Sequence, residues 1–478
     1  MAAIQTSILS KADIQAIHEA ALRVLRDTGV RVHHDFVLAQ LQEQGAEVDA
    51  SQQMARFPEE LVMRCVQQAG KSYVLHGRDP SRVARFGHGD LNLMSSPGQC
   101  AWLDFETGSL RAPTLEDTRS GIRLGDALPN VTIVGAFAQP PDLASGFSDV
   151  LLASELVRGS TKPTRCWVHN GRSARHVLEI YRTVAGGSEN LRLRPMTETF
   201  LEPISPLQMP HDGLDAVIEF VRAGQPVSIN PMSMASGTAP ATLAGALVLE
   251  HAEILAGITI VQTLEPGAPV LYGGIPHIMD PRTSICSFGS PEQGLLAVGM
   301  AQLGRSLGFA VYLNIGLTDA KTLDAQAGFE KASSLILGAL AGADLAGHAG
   351  ICGPDHAASL EWLVLDDELM SFLRRVRRGF EVSSETLAAE VIAAVGPGGN
   401  YLAEEHTLQN FRRELWIPGS PWTRQGWKAW HEAGRQSMAD RVHTRAGELL
   451  AKHQVPPLDP GLSAEIEQIV ISARNEQV

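Results

Sequence analysis

From residue 91 to residue 378 the chain alternates eight times between a short apolar or β-rich run and a segment whose apolar residues recur at helical spacing. The runs fall at 91–94, 131–136, 164–168, 196–201, 227–230, 270–272, 311–315 and 344–347. The helical patterns fall at 115–127, 149–158, 175–184, 213–223, 241–255, 292–307, 326–341 and 359–378. Parallel strands need such crossovers, and eight β–α units in about 290 residues predict an α/β fold closed into a (β/α)8 TIM barrel. Helix ends support the reading: Asp212 precedes the fourth helix, Gly224 follows it, and Ser290-Pro291-Glu292 opens the sixth. A doubly wound open sheet would need a glycine-rich phosphate turn after its first strand, where the chain has Ser95-Ser96-Pro97-Gly98. Residues 101–105 are an alternative first strand.

The flanks divide the chain into an N-terminal helical/β cap (1–90), the barrel (91–378) and a C-terminal helical extension (379–478). In the cap, Ser10 and Asp13 can start one helix and Pro58 another. His33 and His34, at a helix entry, suit solvent-facing or capping roles. In the extension, helices are expected at 384–395 and 404–414, and four of the seven tryptophans fall between 416 and 430. That cluster can cover the barrel mouth or a subunit interface, and plain packing of the appendage is the simpler reading.

A hydrophobic fraction of 44% can fill a sizeable core, and a net charge of −14 argues against nucleic acid or an anionic membrane as the partner. The five scattered cysteines suit reduced thiols in a cytoplasmic protein. No secretory signal is apparent at the start, and the apolar run at 254–264, flanked by Glu253 and Glu265, is too short to span a bilayer.

Chemistry in such a barrel gathers just beyond the C-terminal ends of the strands. Those positions hold Trp167, His169, Glu198, Glu202, Asn230, Tyr272, Asn314, Gln326, Phe329 and His348, with Gln99, Gln139, His277, Asp319, Lys321 and Asp324 nearby. Each has a plain alternative: Asp319 and Asp324 can cap the following helix, and a strand carboxylate such as Glu198 can be neutralised by an arginine or lysine. A metal centre gets little support, because no His-x-His pair opens the barrel and His348 with Cys352 lies on a loop. No nucleophile elbow and no phosphate-cradling loop is present.

Several blocks resemble one family. They are residues 17–25 (Ile17-His18-Glu19 onward), 29–32, Phe57-Pro58-Glu59-Glu60, Gly77-Arg78-Asp79-Pro80, Thr114-Leu115-Glu116-Asp117, and Asp319-Ala320-Lys321 with 324–330. In this order they resemble the trimethylamine methyltransferase family over nearly the whole chain. The resemblance implies a (β/α)8 enzyme of methylamine metabolism, of the methanogenic type. It would move a methyl group from a methylated amine to the cob(I)alamin of a separate corrinoid protein, with no cofactor held tightly by this chain. Founding members place pyrrolysine in the region that here reads Gly316-Leu317 between standard residues. The chain therefore resembles the branch without pyrrolysine, which includes glycine betaine methyltransferases. The expected substrate is a small quaternary amine, and a homo-oligomer is expected. Trp167, Tyr272, Phe329, Glu198 and Glu202 would face the cation, and His348, His169, Asn230, Asn314 and Gln326 a carboxylate, with no catalytic residue or metal assigned. The rival expectations are a metal-dependent barrel hydrolase or lyase and a non-catalytic quaternary-amine binding protein.

Overall fold

The computed structural model describes residues 5–476. Its central strands are β1 (Asn92–Ser95), β2 (Val134–Gly135), β3 (Thr164–Arg165), β4 (Thr199–Leu201), β5 (Val227–Ile229), β6 (Val270–Tyr272), β7 (Tyr312–Leu313) and β8 (Leu345–Ala349). The helices that follow them in turn are α1 (Leu115–Ala127), α2 (Ser145–Gly159), α3 (Gly171–Ala185), α4 (His211–Arg222), α5 (Leu243–Leu264), α6 (Pro291–Ser306), α7 (Ala325–Ala341) and α8 (Leu360–Arg378). Parallel ladders join β2–β3, β4–β5–β6 and β7–β8–β1. Single bridges at Met94–Ile133 and Tyr272–Val311, and the bond from Thr164 N to Met196 O at 3.4 Å, complete the ring. The fold is the expected barrel, and its first strand lies at Asn92–Ser95 while Ala101–Leu103 pairs outside the ring with Leu110–Arg111 and Ala357–Ala358.

A hairpin plugs the N-terminal end of the barrel. Tyr73–His76 pairs antiparallel with Val83–Phe86, and Tyr73, Leu75, Ala84 and Phe86 pack on Met94, Ile133, Leu271, Ala310 and Leu345 inside the ring. The plug is tied to the strand starts by Gly70 N to Ala268 O (3.1 Å) and Gly87 N to the Asp344 carboxylate (2.9 Å). The interior therefore opens at the C-terminal end of the strands.

The cap, expected as helical/β over 1–90, holds both kinds of element. Val30–Val32, Glu47–Asp49 and Met54–Arg56 form a sheet with Gln208–Met209, and the helices Lys11–Arg23, Asp35–Glu43 and Glu59–Gln68 pack on α5. That burial explains why α5 is apolar all round. One face meets the barrel, where a Cβ on Gly257 would lie 2.6 Å from Ile229, and the other meets the cap. At 22 residues, with an 18-residue stretch of mean hydropathy 1.6, α5 is long and apolar enough to cross a membrane, and 83% of that stretch is buried inside the protein. Expected over 241–255, it starts at Leu243 and runs on to Leu264, and its acidic residues are paired in place: Ser233 N donates to Glu250 (2.7 Å) and Leu207 N to Glu253 (2.7 Å).

At the C-terminal side, Met438–Lys452 packs on α8 and α1, and Pro460–Asn475 on α3 and α2. Between α8 and these helices, the short helices Ser384–Leu387, Ala389–Val395, Glu405–Glu414 and Trp427–Glu432 contain no buried residue. The tryptophan cluster splits. Trp416 and Trp422 pack around Phe372 of α8, with ring centroids 5.3 and 6.2 Å from it, whereas Trp427 is 78% exposed.

Candidate functional site

Side chains alternate along a strand, so Glu198, Phe200 and Glu202 leave β4 on one face, the barrel interior. Arg165 of β3 joins them. Its Nη1 lies 2.8 Å from Glu198 Oε1, both side chains are fully buried, and the guanidinium carbon stands 3.2 Å from the centre of the Phe200 ring. Tyr73 of the plug donates to Glu198 Oε2 at 2.6 Å. Burial and the neighbouring Glu198 hold the Tyr73 phenol well above its ordinary value, so it remains a donor. Arg165 Nε and Nη2 have no hydrogen-bond partner among the described residues.

One level higher stand Trp167, Asn230, Asn314 and His348. Trp167 rests on Phe200 with centroids 4.7 Å apart, and its Nε1 donates to Gly98 O at 3.3 Å. His348 is placed by a break in β8: the register with β1 shifts between Ala346 and Ala349, and His348 takes φ +34°, a conformation costly for any residue with a Cβ. Its Nε2 meets the Tyr312 hydroxyl at 3.3 Å. Burial, then Arg165, push the imidazole down to about 3, so it is neutral. Burial pushes the Tyr312 phenol up, so that hydroxyl keeps its proton. The other ring nitrogen, Nδ1, is buried and has no partner among the described residues. Both amide atoms of Asn314 and the Nδ2 of Asn230 are likewise buried and unpartnered.

The rim is acidic. Glu202 follows the last residue of β4, and its carboxylate makes no hydrogen bond to the described residues; burial lifts it to about 8 against the pull of Arg165, and Asp355 lifts it further. Asp355, held at φ +52° in the loop after β8, accepts from Gln99 Nε2 at 2.9 Å and is lifted by burial to about 6.

The structure thus brings Trp167, Glu198, Glu202, Asn230, Asn314 and His348 together and places four expected residues elsewhere. Tyr272 faces outward, because the inward position of β6 is Leu271; its hydroxyl meets His251 Nδ1 of α5 at 2.8 Å. Gln326 lies in the first turn of α7, donating to Glu330 at 2.8 Å on the surface, and Phe329 is 76% exposed. His169 is half exposed and locked to the buried Asp149 of α2 at 2.6 Å, which raises its imidazole. Glu198 is inside but spent on Arg165 and Tyr73.

The Asp-x-Lys block is architecture of the β7–α7 loop. Asp319 accepts from Phe288 N at 2.9 Å, Lys321 Nζ donates to Asp319 O at 2.6 Å, and Asp324 caps α7. Gly316 turns with φ +81°, its carbonyl held at 2.8 Å by the buried Lys331, while Leu317 is buried in the interior cluster. His277 is satisfied by Ile275 O at 2.9 Å. Missed were Arg165, Tyr312 and Asp355; the available signal was an arginine two residues before Trp167 in a strand buried on both faces.

His34, His211 and Asp215 bring possible ligand atoms within 4.8 Å of one another outside the barrel. His34 Nδ1 accepts from Val37 N as the cap of its helix, so its Nε2 carries the proton donated to Asp215 at 2.9 Å and has no lone pair for a metal.

The raised carboxyl of Glu202 makes a pH test of its environment. Between its ordinary value and about 8 the folded chain binds more protons than the unfolded chain, so its contribution is favourable at low pH and is lost as pH rises through about 8. Glu202→Gln is expected to flatten the fall in Tm between about pH 6 and about pH 8.5. A variant whose thermal profile runs parallel to that of the parent would contradict this environment.

Residues 2–478 match the family model described as Trimethylamine methyltransferase (MTTB). The chain is 32% identical to the glycine betaine methyltransferase of Desulfitobacterium hafniense (strain Y51), over 99% of this chain and 98% of that one. It is 31% identical to the trimethylamine methyltransferase MttB of Desulfitobacterium hafniense (strain DSM 10664 / DCB-2), over 98% and 94%. A solved hydroxylamine complex of MtmB shares the fold, with a TM-score of 0.51, 12% identity and coverage of 97% and 95%. With the barrel, its blocked floor and its polar interior in place, the chain belongs to the trimethylamine methyltransferase family.

Proposed function

We propose that this protein transfers a methyl group from a quaternary amine, glycine betaine or a relative, to the cob(I)alamin of a partner corrinoid protein. The observation that carries the reading is what the interior offers and what it lacks. It offers unpartnered polar groups of both kinds, Arg165, Asn230, Asn314 and His348 below and Glu202 above. It lacks an activated nucleophile. Burial pushes the thiols of Cys166 and Cys352 up, the latter to about 12, and Tyr312 stays protonated. Such a site binds and orients, and the attacking electron pair comes from another molecule.

A cobalt(I) corrinoid supplies that nucleophile. A quaternary ammonium suits the site because its charge is permanent and its tertiary amine leaves without a proton donor. The chain's own task is to turn one N-methyl group to the mouth and hold it. Trp167 offers a ring face, worth on the order of 0.5–2 kcal/mol to a cation, and Glu202 the charge. Gly316 and Leu317 supply no electrophilic side chain to the interior, in keeping with substrates other than free tertiary amines. The five free cysteines fit a reducing, cytoplasmic setting, which a cobalt(I) acceptor also requires.

The test is the optical spectrum of reduced cobalamin incubated with the purified protein and a panel of amines. Methylcobalamin should form with quaternary amines and not with trimethylamine. Methylation by trimethylamine alone, or by no amine when the native corrinoid protein is supplied, would overturn the reading.

The same proposal extends to assembly. The stretch 379–437 leaves Phe380, Val382, Leu402, Leu408 and Ile417 exposed, Leu402 by 89%. The short helices of this stretch contain no buried residue of their own, and we assign the cover of these exposed apolar side chains to a second copy of the chain. Light scattering should show an oligomer that the double change Leu402→Asp and Leu408→Asp shifts toward the monomer; an unchanged mass would contradict the assignment.

A further inference from the structure

The plug hairpin has a second face. Tyr73, Leu75, Ala84 and Phe86 point into the barrel, so the alternating residues His76 and Arg85 point away from it, beneath the N-terminal ends of the strands. His76 runs against the segment that enters β4, its N donating to Pro195 O at 2.7 Å, which brings Arg194 alongside. A cavity of about 160 Å³ lies there, between the hairpin turn, the C-terminal end of α3 and the approach to β4. Its polar lining is His76, Arg78, Asn190 and Arg194, and its apolar wall includes Val184 and Met196. No carboxylate among the described residues lines it.

In a chain with 53 acidic and 39 basic residues, that lining is charged opposite to the whole. Its arginines also lack counterions. Arg85 and Arg194 make no side-chain hydrogen bond or ion pair among the described residues. Arg78 spends Nε on Ser160 O (3.3 Å) and Nη2 on Pro456 O (2.6 Å), both neutral carbonyls. Asp126 is the carboxylate that acts on Arg78, and it is already taken by His453 at 2.8 Å and by Thr161 N at 2.7 Å. Burial, then Arg194 and Arg85, lower the His76 imidazole, with no acidic group to offset them. The negative end of α3 is blunted, because Gly186 N and Gly187 N close on Thr183 O (3.2 Å) and Arg182 O (2.8 Å). Asn190 Nδ2 covers Gly186 O at 3.1 Å.

We propose that this floor cavity binds a phosphate group, held between Arg78 and Arg194 with His76 beside them and Arg85 adding to the field. Guanidinium forks match phosphate oxygens two at a time, and donors that approach from the hairpin and from the entry to β4 suit an anion whose acceptors point in several directions. The cavity is smaller than the roughly 300–1,000 Å³ of sites for drug-sized ligands, so the ligand is free phosphate or a small phosphomonoester. An occupant bridges the plug to the start of β4, the strand that carries Glu202 at its far end. The site lies at the opposite end of the barrel from the mouth, and it stands or falls separately from the reading of the mouth.

Calorimetric titration of inorganic phosphate, glycerol 3-phosphate and acetate into the full chain tests the inference, in about 0.1 M NaCl to screen diffuse attraction. The phosphates should bind saturably at a single site per chain, and acetate at least about tenfold more weakly. Tighter binding of glycerol 3-phosphate assigns a phosphomonoester resting on Val184 and Met196, and tighter binding of inorganic phosphate assigns the free ion. Arg194→Gln, an exposed position whose variant is checked by its melting curve, should weaken binding by about tenfold or more. Arg282→Gln, a change at a surface arginine of the loop after β6 that is 86% exposed, should leave binding within about twofold. Phosphate should also raise the Tm of the parent and leave that of the Arg194→Gln variant in place. A dissociation constant above about 10 mM for both phosphates, acetate bound as tightly as phosphate, or equal losses from Arg194→Gln and Arg282→Gln would overturn the proposal.

Discussion

The interior above the plug depends on one buried ion pair, Arg165 with Glu198. Both side chains are fully buried 2.8 Å apart, and each is held by a second group, the ring of Phe200 under the guanidinium and the Tyr73 hydroxyl on the carboxylate. Burying two charges is costly, and removing one partner of such a pair typically destabilises by about 3–5 kcal/mol because the other is stranded. The pair divides the barrel. Below it the plug and the strands form an apolar floor; above it stand the unpartnered groups of Asn230, Asn314 and His348. The neutral imidazole of His348 follows in part from the same guanidinium, and so does the limit on how far Glu202 can rise.

A second buried pair supports that chamber from behind. Lys331 of α7 and Asp366 of α8 meet at 2.9 Å, and they spend their remaining hydrogen bonds on the backbone of the β7 and β8 ends. Lys331 holds Gly316 O at 2.8 Å, and Asp366 receives Gly350 N at 2.8 Å. The two strand ends that flank His348 are thus fixed by charges outside the barrel, so His348 itself is not needed to hold them. This is the separation of positioning from binding that precise orientation of a substrate requires.

The eightfold rhythm of runs and helices was legible because strand and helix periods differ and because caps such as Ser290-Pro291 mark the boundaries. The plug hairpin was not, since its alternating Tyr73, Leu75, Ala84 and Phe86 read as an ordinary strand pair and only the closed ring gives them a hole to fill. Of the site, the residues on strand ends were legible, and errors arose from two physical causes. A strand's period of two turns a one-residue ambiguity into opposite faces, which sent Tyr272 outward where Leu271 points in. Polar residues in the first turns of α7 read as mouth residues although they serve the loop and helix cap, as Asp319, Asp324 and Gln326 do. Asp355 was hidden because its loop, reached after a break in β8, carries no periodic signal.

The account's central claim is that the chain holds a quaternary amine while an external cobalt(I) removes one methyl group. The most direct measurement follows the label from glycine betaine deuterated in its N-methyl groups, incubated with the protein and reduced cobalamin. The account predicts trideuteromethyl-cobalamin and dimethylglycine that still carries the label in its remaining N-methyl groups, formed in equal amounts and only when the protein is present. Betaine recovered intact with reduced cobalamin still competent, or a label released as methanol, would contradict it.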